Sequence, residues 1–167
     1  MREGLDYDVA LAKAVKFCSQ KEQCEQVVRK KLTKWQLADD KTEKVIAYLK
    51  EEKYLDEIRF ASAYAHDKFH FYNWGKTKIV YELRIRDISS DIADMAVQSI
   101  DAEVYLERLI SLLTVRLKNI KYKNSYDIKA KLYRFGMSKG FESELVLKIT
   151  ENIIKSITNE TTIEGFF

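Results

Sequence analysis

His66 and His70 stand four residues apart in the run HDKFH. On a helix that spacing puts both imidazoles on one face, where they could hold a divalent metal. A zinc peptidase would need glutamate where Asp67 sits, because that carboxylate must reach a metal-bound water. No third ligand accompanies these two histidines, the only ones in the chain. The pair reads as a partly exposed helix face with no metal. A metal hydrolase on a helical scaffold is the catalytic alternative, and metal analysis of the purified protein separates the two.

A second stretch invites a nucleotide. WGKTKIVYELRIRDI, residues 74–88, contains Gly75-Lys76-Thr77, the tail of a phosphate-binding loop. Such a loop needs GxxxxGK[ST] between a strand and a helix. Five residues before Gly75 stands His70 rather than glycine, and the preceding KFHFYN continues a helical pattern. Gly75 is therefore expected to permit a turn between two helices. Cys18 and Cys24 have no CxxC spacing and read as reduced thiols. No GxSxG and no glycine-rich dinucleotide turn occurs. Acidic pairs such as Asp39-Asp40 and Glu51-Glu52 read as solvated helix surface. The chain is expected to be no enzyme and to need no cofactor.

The elements that must position any site are helical. The 167 residues include no proline and five glycines, where average usage would give roughly eight and about twelve. Without proline, helices run uninterrupted. No apolar stretch approaches a membrane span, and no apolar signal region opens the sequence, so the expected location is the cytoplasm. Net charge is only +3, but its distribution is uneven. Residues 13–34 carry seven Lys/Arg against two acids. Residues 68–86 carry five against one, and 116–134 seven against one. Recurring basic zones favour an anionic partner.

Three segments align. Leu32, Leu83 and Leu132 coincide, as do Leu37, Ile88 and Met137. So do Ile46, Val97 and Val146, and Leu49, Ile100 and Ile149. Periods near 50 residues signal a repeat array, in which units gain stability by stacking. Each unit reads as three helices. The first spans 8–19, 56–71 or 102–121. The second, short and basic, spans 20–33, 76–86 or 126–135. The third starts near Ala38-Asp39, Ser89-Ser90 or Ser138. Ser19 with Glu22, Asn73 and Asn124 are the expected N-caps. The fold class is all-α, a tandem array of three three-helix repeats forming an elongated, curved body. Its units are 1–55, 56–101 and 102–157. Residues 158–167 form a tail without periodicity, whose Phe166 and Phe167 could dock on the last unit.

The basic second helices interleave charge with aromatic and apolar residues. In the middle unit Lys76, Lys78, Arg84 and Arg86 flank Ile79, Val80 and Leu83, with Tyr72, Trp74 and Tyr81 between. Such a face is either a solvated amphipathic surface or a binding face for phosphates or an acidic protein.

The run LDEIRFASAYAHDKFHFYNWGKTKIVYELRIRDI, residues 55–88, resembles the RecX family of bacterial regulatory proteins. Arg59, Phe60, Ala61, Tyr64, Asp67, Trp74, Gly75, Ile79, Glu82, Leu83, Arg84 and Ile88 match its pattern. Lys76 stands where the family usually has proline, and lysine often replaces its arginine, losing the bidentate fork. The resemblance implies a non-enzymatic, monomeric modulator of the RecA recombinase. Such a protein would lodge in the filament groove on single-stranded DNA. There it would inhibit ATP hydrolysis, strand exchange and co-protease activity, and so modulate recombinational repair and the SOS response. The contact residues expected are Arg59, Lys68, Trp74, Lys76, Lys78, Arg84 and Arg86, then Lys123, Lys129, Lys131 and Arg134. The alternative is a helical module that binds DNA directly, its second and third helices resembling a helix-turn-helix pair.

Overall fold

The computed structural model describes residues 4–164, and every regular element among them is an α-helix. In chain order they are α1 (Tyr7–Gln20), α2 (Glu25–Lys34), α3 (Asp39–Glu51), α4 (Glu57–Tyr72), α5 (Lys76–Arg84), α6 (Ser90–Gln98), α7 (Ala102–Lys118), α8 (Ser125–Lys139) and α9 (Ser143–Glu164). The all-α repeat array expected from the periodicity is present. Among the described residues no helix is long and apolar enough to cross a membrane. Phe166 and Phe167 lie outside the described residues, while Thr158 and the residues to Glu164 continue α9.

The chain packs as two compact units, and the division falls inside α4 and α5. The first takes Met1–Ala65 with Val80–Val97, the second His66–Ile79 with Gln98–Phe167. In the first, α1 buries Ala10, Ala14 and Cys18 at a strict four-residue spacing. Small residues there admit Val28 and Leu32 of α2 and Val45, Ile46 and Leu49 of α3 to one cluster. In the second, Phe69, Tyr105, Leu109, Leu113, Ile128, Leu132 and Phe141 are buried. Each such side chain contributes about 2 kcal/mol on leaving water. Tyr105 sits between two aromatic neighbours, 5.6 Å from Phe69 and 5.0 Å from Phe141, centroid to centroid. Its hydroxyl donates to Glu142 at 2.7 Å and accepts the Lys76 N–H at 2.9 Å, so the buried phenol is satisfied.

α2, α5 and α8 end in the same way. A left-handed residue follows each: Gln36 (φ 58°), Asp87 (φ 62°) and Gly140 (φ 85°). The next residue turns its N–H back to a carbonyl five positions earlier. Leu37 bonds Leu32, Ile88 bonds Leu83 and Phe141 bonds Gly136, at 3.2, 3.2 and 3.3 Å. This is the Schellman arrangement, and Leu37, Ile88 and Phe141 are all buried.

That motif corrects the alignment of the third repeat. α8 runs one turn past its expected end at residue 135, and α9 begins at Ser143 rather than near Ser138. Phe141, not the exposed Met137, is the counterpart of Leu37 and Ile88. In this register Ile46 and Val97 correspond to Thr150, and Leu32 and Leu83 to Gly136. Thr150 is fully buried, and its hydroxyl finds no hydrogen-bond partner among the described residues. At Gly136 a β-carbon would press on the Val146 side chain, so glycine lets α8 and α9 pack closely.

Two caps also differ from expectation. Ser19 lies within α1, donating to the Val15 carbonyl at 2.8 Å, and α2 starts only at Glu25 after Cys24. Asn73 precedes α5 by too far to cap it and adopts φ 56°. Asn124 does cap α8, accepting the Asp127 N–H at 2.9 Å. Asp101 caps α7 in the same way through Val104.

Candidate functional site

The loop between α4 and α5 belongs to the second unit and carries Trp74 and Gly75. Trp74 donates its backbone N–H to the Lys68 carbonyl at 3.0 Å, folding the loop back on the end of α4. Gly75 then donates to the Lys139 carbonyl at 2.8 Å. Its φ is not positive, so a left-handed turn is not why glycine stands here. Close approach is the reason. A β-carbon at Gly75 would overlap the backbone of Gly140 and Phe141. A β-carbon at Gly140 would in turn overlap Lys78. Two glycines 65 positions apart thus let the loop seat on the α8 terminus.

This seating gathers charge around an indole. The Lys68 ammonium lies 4.9 Å from the Trp74 ring centre and 4.1 Å from that of Tyr72. The Lys78 ammonium lies 4.4 Å from Trp74. Trp74 and Tyr72 are 6.3 Å apart, and Tyr72 is 55% exposed. Next along the chain, Lys76 sits 4.8 Å over the Tyr105 ring. Where Gly75 meets α8, Lys139 lies 5.7 Å and Arg116 5.3 Å from the Phe135 ring. Each of these cations lies over a ring face, the geometry of a cation–π contact. The rings position this charge beside exposed Tyr72, which suits an incoming anion.

The other expected contact residues divide by their partners. Arg59 is tied to Glu22, with bonds of 2.9 and 3.3 Å, and to the Lys53 carbonyl at 2.8 Å. The Glu22 carboxylate raises the Arg59 pKa. Arg86 pairs with Glu82 at 2.7 Å and lies 4.9 Å over Tyr64. Lys129 pairs with Glu151 at 2.6 Å and Lys131 with Asp127 at 2.8 Å. Those ammonium groups hold the Glu151 and Asp127 carboxyls below their usual values. These four cations are matched within the fold. Arg84, Lys123 and Arg134 are exposed and make no ion pair among the described residues. The structure therefore brings Lys68, Trp74, Lys76 and Lys78 together. It adds Tyr72, Arg116 and Lys139, which sequence reasoning left off the site. Gly140, as a C-terminal cap signal directly after Lys139, was the clue to the last of these.

The remaining perturbed titratable groups respond to burial and to their neighbours. In the first unit, burial raises the Glu25 pKa, but hydrogen bonds from Lys50 (2.5 Å) and Arg29 (2.6 Å) outweigh it and leave it low. Burial pushes the Cys18 thiol up to about 11, so it is no nucleophile. Burial pushes the Tyr105 phenol up as well. His70 is lowered by desolvation and then by the charges of His66 and Arg108. Among the described residues no group of three or more His, Cys, Asp or Glu side chains could hold a metal.

Residues 56–97 match the second three-helix domain of RecX, and residues 103–149 its third three-helix domain. Regulatory protein RecX of Clostridium botulinum (strain Eklund 17B / Type B) is 30% identical over 143 residues, covering 84% of this chain and 66% of its own. That of Clostridium tetani is 31% identical over 147 residues, covering 86% and 66%. The chain thus spans about two thirds of the length of these relatives. A crystal structure of regulatory protein RecX superposes with a TM-score of 0.76 at 20% identity, over 87% of this chain and 71% of the other. RecX from Lactobacillus salivarius gives 0.75 at 17%, over 87% and 95%. The chain belongs to the RecX family.

Proposed function

We propose that this protein is a non-enzymatic regulator of the RecA recombinase filament on single-stranded DNA. It acts in the cytoplasm as a monomer and inhibits the filament's ATP hydrolysis, strand exchange and co-protease activity. Recombinational repair and the SOS response are modulated as a result. The observation that carries this reading is the Lys68–Tyr72–Trp74–Lys78 cluster. It sets two ammonium groups against the Trp74 ring beside exposed Tyr72, the composition of an interface anchor. The choice of RecA as partner is supported by the resemblance to RecX regulatory proteins.

Three helical repeats, at residues 1–55, 56–101 and 102–157, would contact successive protomers of the filament. Weak local contacts then multiply through effective concentration. To inhibit, the protein must prefer a filament state that turns over ATP poorly, since a ligand shifts an equilibrium only by differential affinity. Arg84, Lys123 and Arg134 are further contacts, since all three are exposed and make no ion pair among the described residues. Arg59, Arg86, Lys129 and Lys131 contribute less, since breaking an existing pair offsets any new one.

DNA-dependent ATP hydrolysis by RecA, with this protein titrated in, tests the reading. Inhibition is expected well below one molecule per RecA protomer, without matching loss of bare single-stranded DNA. Direct DNA binding remains the second reading, favoured by the same clustered lysines. It predicts no effect on the filament at excess protein, and tight binding to naked DNA that weakens steeply with salt.

A further inference from the structure

The two histidines of α4 take no part in the cluster around Trp74, yet they are built as a pair. Their ring centres are 4.3 Å apart, and both rings sit on one face of the helix. Asp67 Oδ1 lies 3.5 Å from His66 Nδ1. A carboxylate beside the second ring nitrogen is the arrangement found behind metal-bound imidazoles. The pair opens on a cavity of about 220 Å³, lined also by Ser99, Asp101 and Val104. Asp101 uses one oxygen, Oδ1, to cap Val104 at 2.9 Å.

We propose that His66 and His70 form a two-imidazole clamp for a divalent first-row transition-metal ion, Zn²⁺, Ni²⁺ or Cu²⁺, with water completing the shell. Imidazole donors select these ions over Mg²⁺ and Ca²⁺. With two protein ligands the site is open, so the ion exchanges and keeps positions for an outside donor. Arg108, which donates to Asn73 at 2.6 Å, sits close enough to depress His70 and weakens the clamp without blocking it. Bound metal would staple the last two turns of α4, which lead directly into Tyr72 and Trp74. The inference is independent of the RecA reading.

Isothermal titration calorimetry of the whole chain with Zn²⁺ and Ni²⁺ at neutral pH tests it. One ion per chain is expected, with Cu²⁺ tighter than Ni²⁺ and Ni²⁺ tighter than Co²⁺. His66→Ala and His70→Ala should each weaken binding by at least ~10-fold, and D67N by about 10-fold. His66 is largely exposed and its variant will fold, which circular dichroism checks. Metal should also raise Tm of the native chain and not of the double histidine variant. Absence of saturable binding, or binding that survives in the double variant and is lost in C18S/C24S, would overturn the proposal.

Discussion

Reversing the charge at Lys68 and Lys78 together is expected to raise the concentration needed for half-inhibition of RecA ATP hydrolysis by ~100-fold. Two ammonium groups on one indole are replaced by two carboxylates. Facing an acidic partner, like charges cost several kcal/mol, and each 1.4 kcal/mol is tenfold in affinity. Trp74→Ala removes the ring that positions both lysines, and about 2 kcal/mol is expected for a buried aromatic anchor, roughly 30-fold. The fold should tolerate these changes, since an exposed cation–π contact contributes about 0.5–1 kcal/mol. K129A is the internal comparison. Its ammonium is already matched by Glu151 at 2.6 Å, and inhibition should barely change. If K129A and the double reversal behave alike, the assignment of the Trp74 face as the contact surface fails.

Gly75→Ala should be the most damaging single methyl in the second unit. The added carbon meets main chain at Gly140 and Phe141, which cannot rotate away as a side-chain tip could. Overpacking of this kind costs about 3 kcal/mol, near 10 °C in Tm for a chain of this size. The Gly75 N–H bond to Lys139 would be lost with it. Thr77→Ala, at an exposed position two residues on, should leave Tm within a degree or two. Calorimetric melting of the two variants beside the parent checks this. An unchanged Tm for Gly75→Ala would mean that the loop does not seat on α8.

Much of the fold was legible because helical periodicity is local. α3, α4, α6 and α7 start within a residue of their sequence positions. The absence of proline and the four-residue apolar spacing account for that. The third repeat was misregistered for a nonlocal reason. Gly136 and Gly140 are equally good local stop signals, and Ser138 an equally good start. The choice is made by burial of Phe141 and by the meeting of Gly75 with Gly140 across 65 residues of sequence. The candidate site was half legible for the same reason. Lys68, Trp74 and Lys78 are close in sequence, so their cluster could be anticipated. The fate of Arg59 depends on Glu22, 37 residues away, and that of Lys129 on Glu151. Residue type alone cannot distinguish a matched arginine from an unmatched one. Arg116 and Lys139 were missed because only the fold brings them to a shared ring at Phe135.

The central claim is that the face around Trp74 docks on RecA within the filament. Placing the photo-crosslinker p-benzoylphenylalanine at Tyr72, which is exposed beside Trp74, tests it most directly. Irradiated with RecA assembled on single-stranded DNA, the chain should crosslink to RecA, and K68E/K78E should abolish the product. A crosslink to the DNA strand alone, obtained equally without RecA, would contradict the account.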